Sequence, residues 1–253
     1  MIITLTTDFG IRDSFVGAMK GVILGIAPAV RIVDLSHGIP PGDVRKAAFA
    51  LMTTAPFFPA GTIHIAVVDP GVGSSRKAIA IRTQDAIFIG PDNGVLSWAV
   101  KGQEHLEMRS VENKAFLLER VSSTFHGRDL FAPAAAWLAS GKDFRDLGPE
   151  LHEFKREAWN DPVRVQLGWQ TEVIHVDGYG NAITAFRADH PHRVRSVLLA
   201  DGRRLPLEQF YGAVAKGSAL AVKGSSGFVE IAVNQGNAAV ELGLDRGSEV
   251  IIA

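Results

Sequence analysis

The chain has 253 residues, a formal net charge of −1 and 47% apolar residues, which suits one large domain or two ordinary ones with a sizeable core. The near balance of acids and bases gives no electrostatic reason to expect nucleic acid or an anionic membrane as partner. The absence of cysteine excludes a disulfide framework, a thiolate nucleophile and a cysteine-based metal site. The opening stretch Met1-Ile2-Ile3-Thr4-Leu5-Thr6 lacks the basic and apolar segments of a secretory signal. No apolar run approaches the roughly 18 residues of a membrane span, so a soluble cytoplasmic protein is expected.

Residues 2–6 are short, β-branched and apolar, and predict a first strand. The loop Thr7-Asp8-Phe9-Gly10 follows. Phe15, Met19, Val22, Ile23 and Ile26 then fall at helical spacing, with Asp13 placed to cap the helix and Pro28 to stop it. A second strand is predicted at 30–35, beside the polar residues Asp34, Ser36 and His37, and a second helix at 43–52. The apolar run 63–68 reads as a buried strand that ends at Asp69. A turn, Pro70-Gly71-Val72-Gly73-Ser74-Ser75, is closed by Arg76. Strands are expected at 78–82 and 86–89, a loop at Pro91-Asp92-Asn93-Gly94, a short helix at 95–100 and an alanine-rich helix at 131–139. Strands alternating with helices predict an α/β domain with a largely parallel, two-sided sheet.

Near residue 150 the pattern changes to short alternating runs with many turn signals. Strands are expected at 163–167, 172–176, 182–186, 194–199, 219–222, 228–233 and 249–252, with helical stretches only around 206–211 and 236–240. This spacing predicts a smaller all-β, barrel-like domain. The domains are therefore placed at 1–157 and 158–253.

In open α/β sheets, ligands bind beyond the carboxyl ends of the strands. Asp69, with Arg76 seven residues later across a flexible turn, is a candidate active-site pair there. The alternative is a turn-capping acid and a solvated arginine. Asp8, Asp13, Asp34, His37 and Asp92-Asn93 also collect at predicted strand ends. Their chemistry suits either a metal site or helix caps and turns, and capping is the simpler account. No H-x-H or H-E-x-x-H spacing supports zinc, so no metal is expected. His126, in Ser123-Thr124-Phe125-His126-Gly127-Arg128-Asp129, lies just before a helix, where an imidazole can serve as a base. His64, His105, His152, His175, His190 and His192 read as structural. Asp177-Gly178-Tyr179-Gly180-Asn181 reads as a hairpin turn. Ser225 and Ser226 sit in a small-residue loop that can bond a polar ligand or simply turn the chain. Nothing matches a dinucleotide or P-loop fingerprint, so no nucleotide cofactor is expected.

Taken together, several blocks resemble one known family. They are Thr6-Thr7-Asp8-Phe9-Gly10 with Asp13 and Met19-Lys20-Gly21; Asp34-Leu35-Ser36-His37-Gly38-Ile39-Pro40; Val68-Asp69-Pro70-Gly71-Val72-Gly73; Pro91-Asp92-Asn93-Gly94; Phe125-His126-Gly127-Arg128-Asp129; Gly180-Asn181; and Ser226-Gly227 with Glu230-Ile231-Ala232. The family so resembled is the S-adenosyl-L-methionine (SAM) hydroxide adenosyltransferases, relatives of the adenosyl fluorinase and chlorinase. The resemblance implies a homotrimer with sites shared between subunits, and a cofactor-free reaction of SAM with water that gives adenosine and L-methionine. It further implies that Asp69, Arg76 and His126 position and activate the water. Asp8 would bind the ribose diol, Asp13 the methionine ammonium, Asn181 the adenine edge, Tyr211 the adenine face, and Ser225 and Ser226 the amino-acid end. In the related halogenases the position of Asp69 is not acidic, so a carboxylate here argues for water over halide. Thr184-Ala185 and Ser226 also depart from the family pattern of Thr-Asn and of the halogenase arginine. A halogenase on the same scaffold and a non-catalytic sensor of SAM or adenosine are the alternatives.

Overall fold

A computed structural model describes residues 1–191 and 194–253; His192 lies outside the described residues. The chain forms two compact units, Met1–Glu157 and Ala158–Ala253.

The first unit contains strands β1 (Ile2–Thr7), β2 (Arg31–Ser36), β3 (Thr62–Val67), β4 (Ala78–Arg82), β5 (Ala86–Pro91) and β6 (Glu107–Ser110). Its helices are α1 (Phe15–Ile26), α2 (Val44–Thr54) and α3 (Ala132–Ala139). The sheet order is β2-β1-β3-β5-β4-β6. Strands β2, β1, β3 and β5 run parallel, whereas β4 is antiparallel to both β5 and β6. Every residue of β3 is buried, because the sheet is covered on both faces and the strand's two-residue period serves each in turn. Ile63, Ile65 and Val67 pack with α1 and α3 through Met19, Ile23 and Ala135. Ala66 and Val68 pack on the other face with Ala47 and Leu51 of α2.

Several expectations differ locally. Helix α1 starts one residue later than Asp13 requires: Ser14 is its first capping residue and no side chain caps it. Asp43, by contrast, caps α2 by accepting from the Lys46 amide at 3.0 Å. The stretch 95–100 forms consecutive turns rather than a helix, and Val95, Leu96, Trp98 and Val100 are all buried. Trp98 donates from its indole to the Glu157 carbonyl at 2.8 Å.

His64, in β3, is 1% exposed. Its Nδ1 lies 2.8 Å from the Thr4 hydroxyl, and its ring stacks on Phe88 at 5.1 Å. Burial pushes its pKa from 6.5 to about 4. The fold therefore favours the neutral ring, and this contribution is complete above the unfolded value and declines as pH falls toward 4. The displacement amounts to about 3 kcal/mol at most. Urea unfolding at about pH 7.5 and about pH 4.5 should show part of this loss. His64→Asn, which removes the titrating ring, should narrow the difference.

The second unit contains β7 (Val163–Val165), β8 (Gly168–Val176), β9 (Ala182–Arg187), β10 (Ser196–Leu199), β11 (Arg204–Glu208), β12 (Ala219–Lys223), β13 (Phe228–Val233) and β14 (Glu249–Ile252), with one short helix, α4 (Ala238–Leu242). The order β14-β10-β11-β12-β13-β9-β8 closes on itself through a β14–β8 pairing, and β7 extends from β8. The result is a seven-stranded closed barrel around Val173, Phe186, Val197, Val229, Ile231 and Val250. Closure leaves no free edges within the ring. The stretch expected to be helical at 206–211 is instead the end of β11 followed by a 3-10 turn at Tyr211–Ala213.

Candidate active site

The carboxyl end of β3 carries the Asp69–Arg76 pair. The strand finishes at Val67, Val68 is fully buried, and the chain turns at Asp69. Asn93 fixes this end by donating from its amide to the Val68 carbonyl at 2.8 Å. The turn holds itself through Val72 N to the Asp69 carbonyl at 3.2 Å and Ser74 Oγ to the Gly71 carbonyl at 2.6 Å.

Arg76 folds back over this turn onto Asp69. Its Nε lies 3.1 and 3.0 Å from the two carboxylate oxygens, and its Nη2 bonds Oδ2 as well. The two side chains are 11% and 5% exposed, so the pair is largely desolvated. The Arg76 guanidinium also lies 5.5 Å above the ring of Phe131. Nη2 reaches Nδ1 of His126 at 2.7 Å. An arginine has only donors, so Nδ1 of His126 accepts and the neutral ring carries its hydrogen on Nε2. Burial, and then the Arg76 charge, lower the His126 pKa, while Asp69 and Asp129 oppose this. On Nη1 the sole bond is a long one, 3.5 Å to the Lys77 carbonyl. One Nη1 hydrogen is therefore without an acceptor among the described residues.

The His126 segment meets the Asp69 turn at a close backbone contact. Gly73 has φ +77°, and a methyl group there would lie 2.4 Å from the Ser123 carbonyl oxygen. The fully buried Asp129 steadies the loop from inside, accepting from the Ser122 amide at 2.8 Å and pairing with Arg128. His126 then leads into a single π-helical turn, Gly127–Phe131. Three phenylalanines join this segment to the β1 loop: Phe9 and Phe15 are 5.9 Å apart, Phe9 and Phe125 5.8 Å, and Phe15 and Phe125 5.2 Å. None of these phenylalanines stood out as functional in the sequence, because nothing in the spacing of loop aromatics announces their contact.

Asp8 is half-buried and accepts from the Gly42 amide at 2.8 Å; Asp13 is exposed. His37 is buried, with Nδ1 2.8 Å from the Thr7 hydroxyl and Nε2 3.1 Å from Asp34. Asp34 lies inside β2 and also pairs with Lys20 at 2.6 Å, so it is neither a cap nor a turn residue. Asp92 accepts from the Lys155 amide at 2.7 Å. Among the described residues no three His, Asp or Glu side chains are arranged to hold a metal ion.

In the second unit, Asp177 and Asn181 form the β8–β9 hairpin. Asp177 accepts from the Tyr179 and Asn181 amides at 2.8 and 2.9 Å and from the Asn181 side chain at 3.0 Å. Asn181 is itself buried. Tyr211 is 44% exposed and donates its hydroxyl to Glu230. Ser225 is exposed, whereas the Ser226 hydroxyl is buried and lacks a hydrogen-bond partner. Asn181, Tyr211 and Ser226 all belong to this unit, as Asp69, Arg76 and His126 all belong to the first.

Among the described residues, no helix is long and apolar enough to cross a membrane. Comparison with known proteins covers both units. The model of the SAM hydroxide adenosyltransferase N-terminal domain matches residues 3–148, and that of its C-terminal domain matches residues 171–251. A protein named (R)-S-adenosyl-L-methionine hydrolase from Thermus thermophilus is 39% identical, with 96% of each chain covered. One of the same name from Salinispora tropica is 39% identical over 98% of this chain and 96% of its own. A fluorinase from Nocardia brasiliensis is 27% identical over 98% and 95%. The crystal structure of an uncharacterized conserved protein from Thermotoga maritima matches with a TM-score of 0.91 and 36% identity, covering 100% of both chains. From these matches across both units, the chain belongs to the SAM hydroxide adenosyltransferase family.

Proposed function

We propose that this protein hydrolyses SAM at the ribose C5′ carbon, giving adenosine and L-methionine. The observation that carries the reading is the Asp69–Arg76–His126 constellation, whose ion pair is largely desolvated, in which Arg76 keeps an unused N–H and His126 is held neutral with Nε2 as a donor. These groups suit a hydroxide-like oxygen. Asp69 offsets the arginine charge and fixes its plane, the guanidinium stabilises the oxygen, and the imidazole donates a second hydrogen bond. The sequence suggested His126 as a base. Its Nδ1 lone pair is engaged by Arg76, and the donor role follows from that geometry.

In the proposed step the oxygen forms a bond to C5′ as the C5′–S bond breaks. The bonding pair passes to sulfur, which leaves as a neutral thioether, and one proton from water ends in solvent. No general acid is required for departure. Hydroxide and sulfonium neutralise each other in the transition state, so a dry site does not have to solvate growing charge. In-line positioning then carries much of the acceleration. Asp8 is assigned to the ribose diol, Asp13 to the methionine ammonium, Asn181 to the adenine edge, Tyr211 to the adenine face, and Ser225 and Ser226 to the amino-acid end. The buried Ser226 hydroxyl without a partner supports the last assignment. We further propose a homotrimer with sites shared between subunits, the division of these residues between two units being consistent with it. Light scattering on a sizing column tests the trimer.

The direct test is to incubate the protein with SAM in halide-free buffer, with chloride, with fluoride and with a chelator, and to identify the products. Adenosine and methionine in all four arms support the hydrolase. A 5′-halogenated adenosine formed only with halide would replace it with halogen transfer, and ligand retention without turnover with a sensor. If hydroxide is the nucleophile and chemistry limits turnover, kcat should rise about tenfold per pH unit from about pH 7 to about pH 9. His126→Gln keeps an N–H donor and removes the titrating ring. It should lower the rate and leave that slope in place. Loss of the slope would restore His126 as the base.

A further inference from the structure

Glu230 has no role in the chemistry above. It lies mid-way along β13, opposite Val222 of β12 and Ile183 of β9, and is 6% exposed. Its chain neighbours Val229 and Ile231 are core residues. A carboxyl at such a position is costly unless hydrogen-bonded, and an apolar residue would fill it more cheaply. What the carboxyl touches explains its presence. Oε1 accepts the hydroxyl of Tyr211. Oε2 lies against the backbone of Gly224, where a methyl group would sit 2.2 Å from it. Gly224 opens the loop that carries Ser225 and Ser226, closed by Gly224 N to the Phe228 carbonyl at 2.8 Å and Gly227 N to the Gly224 carbonyl at 3.1 Å.

We propose that Glu230 is a positioning residue whose two oxygens set the Tyr211 ring and the Gly224–Gly227 loop together. This rests on the reading that Tyr211 meets adenine and the serine loop meets the amino-acid end. The tyrosine is held by a short 3-10 turn and is substantially exposed. Its hydroxyl bond to Glu230 is what fixes the ring plane. The other oxygen fills the space beside the Gly224 backbone, so the place of the loop and the place of the carboxyl are coupled, and the same carboxyl holds the tyrosine. Burial of the carboxyl end strengthens that bond. Burial, with the nearby Asp177 charge, pushes the Glu230 carboxyl up, while the Tyr211 bond opposes.

The test uses the full-length protein, with SAM turnover and calorimetric binding of adenosine as separate readouts. Glu230→Ala should raise both KM for SAM and Kd for adenosine about tenfold, with kcat changed less than about threefold. Glu230→Gln retains an acceptor and should recover most of that loss. Tyr211→Phe should weaken adenosine binding less, and adding it to Glu230→Ala should change little further, because the two act through one bond. A lower melting temperature in Glu230→Ala with KM and adenosine Kd unchanged would overturn the proposal, as would additive effects in the double variant. Should Glu230→Ala fail to fold, the combination of Tyr211→Phe with Glu230→Gln reads the same coupling. A wild-type protein that neither turns over SAM nor binds adenosine would remove the parent reading and this proposal together. An active wild type with indifferent variants removes the proposal alone.

Discussion

Arg76→Lys is expected to lower kcat by about 10²–10³-fold while moving KM less than about threefold. The prediction follows from how the guanidinium is used. One planar group touches both Asp69 oxygens, reaches His126 Nδ1 and still leaves a hydrogen on Nη1. A lysine ammonium keeps the charge but is a compact point with three donors, and cannot span those partners in one plane. Lysine is preferred over alanine because Asp69 is 5% exposed. Alanine would leave that carboxylate buried without its partner and destabilise the fold by several kcal/mol. Steady-state kinetics with a parallel melting curve separates the two effects. Asp69→Asn should lower kcat in the same way, since the neutral amide no longer balances or orients the guanidinium. Wild-type turnover in Arg76→Lys would dismiss the triad.

Gly73→Ala should be nearly as damaging although residue 73 carries no functional group. At φ +77° an alanine is strained by about 1 kcal/mol. Its methyl group would also press into the Ser123 carbonyl oxygen at 2.4 Å, and neither backbone segment can absorb that by changing rotamer. The turn that carries Asp69 and Arg76 and the segment that carries His126 would have to separate. A displacement of about 1 Å between catalytic groups is enough for about a 10²-fold loss in rate. The expected outcome is a soluble, folded protein with kcat reduced to that extent. Normal kcat would mean that the contact does not set the triad geometry.

Much of the first unit is legible because the run 63–68 is apolar but for His64, and a strand buried on both faces needs a doubly covered sheet. Asp69 and Arg76 are legible as a pair because one turn joins them. His126 is fifty residues away, and the contact that delivers it, Gly73 on Ser123, involves only backbone and so leaves no pattern in side-chain chemistry. The resemblance, not the spacing, connected the three. The misread stretches have local causes. Residues 95–100 are apolar because they are buried, and the turn there is fixed by the Ser97 hydroxyl on the Gly94 carbonyl at 2.6 Å. Strand β11 was hidden by Pro206, which reads as a breaker but lacks only the donor that a strand can spare at one position. Glu230 stands in the sequence only as a member of one resembling block inside an expected strand, with no role attached. Its partner Tyr211 lies nineteen positions earlier, and only the closed barrel puts them together.

The pairing of Asp69 with Arg76 also fixes how far the site can be felt. With His126 neutral, the three groups sum to zero, and what they present outward is a dipole rather than a charge. A dipole's field falls away faster with distance than that of a lone guanidinium, and it is weak beyond a few ångströms. Anions in bulk solvent are therefore not gathered toward this centre. Discrimination between hydroxide and the far more abundant chloride is left to contact within the site.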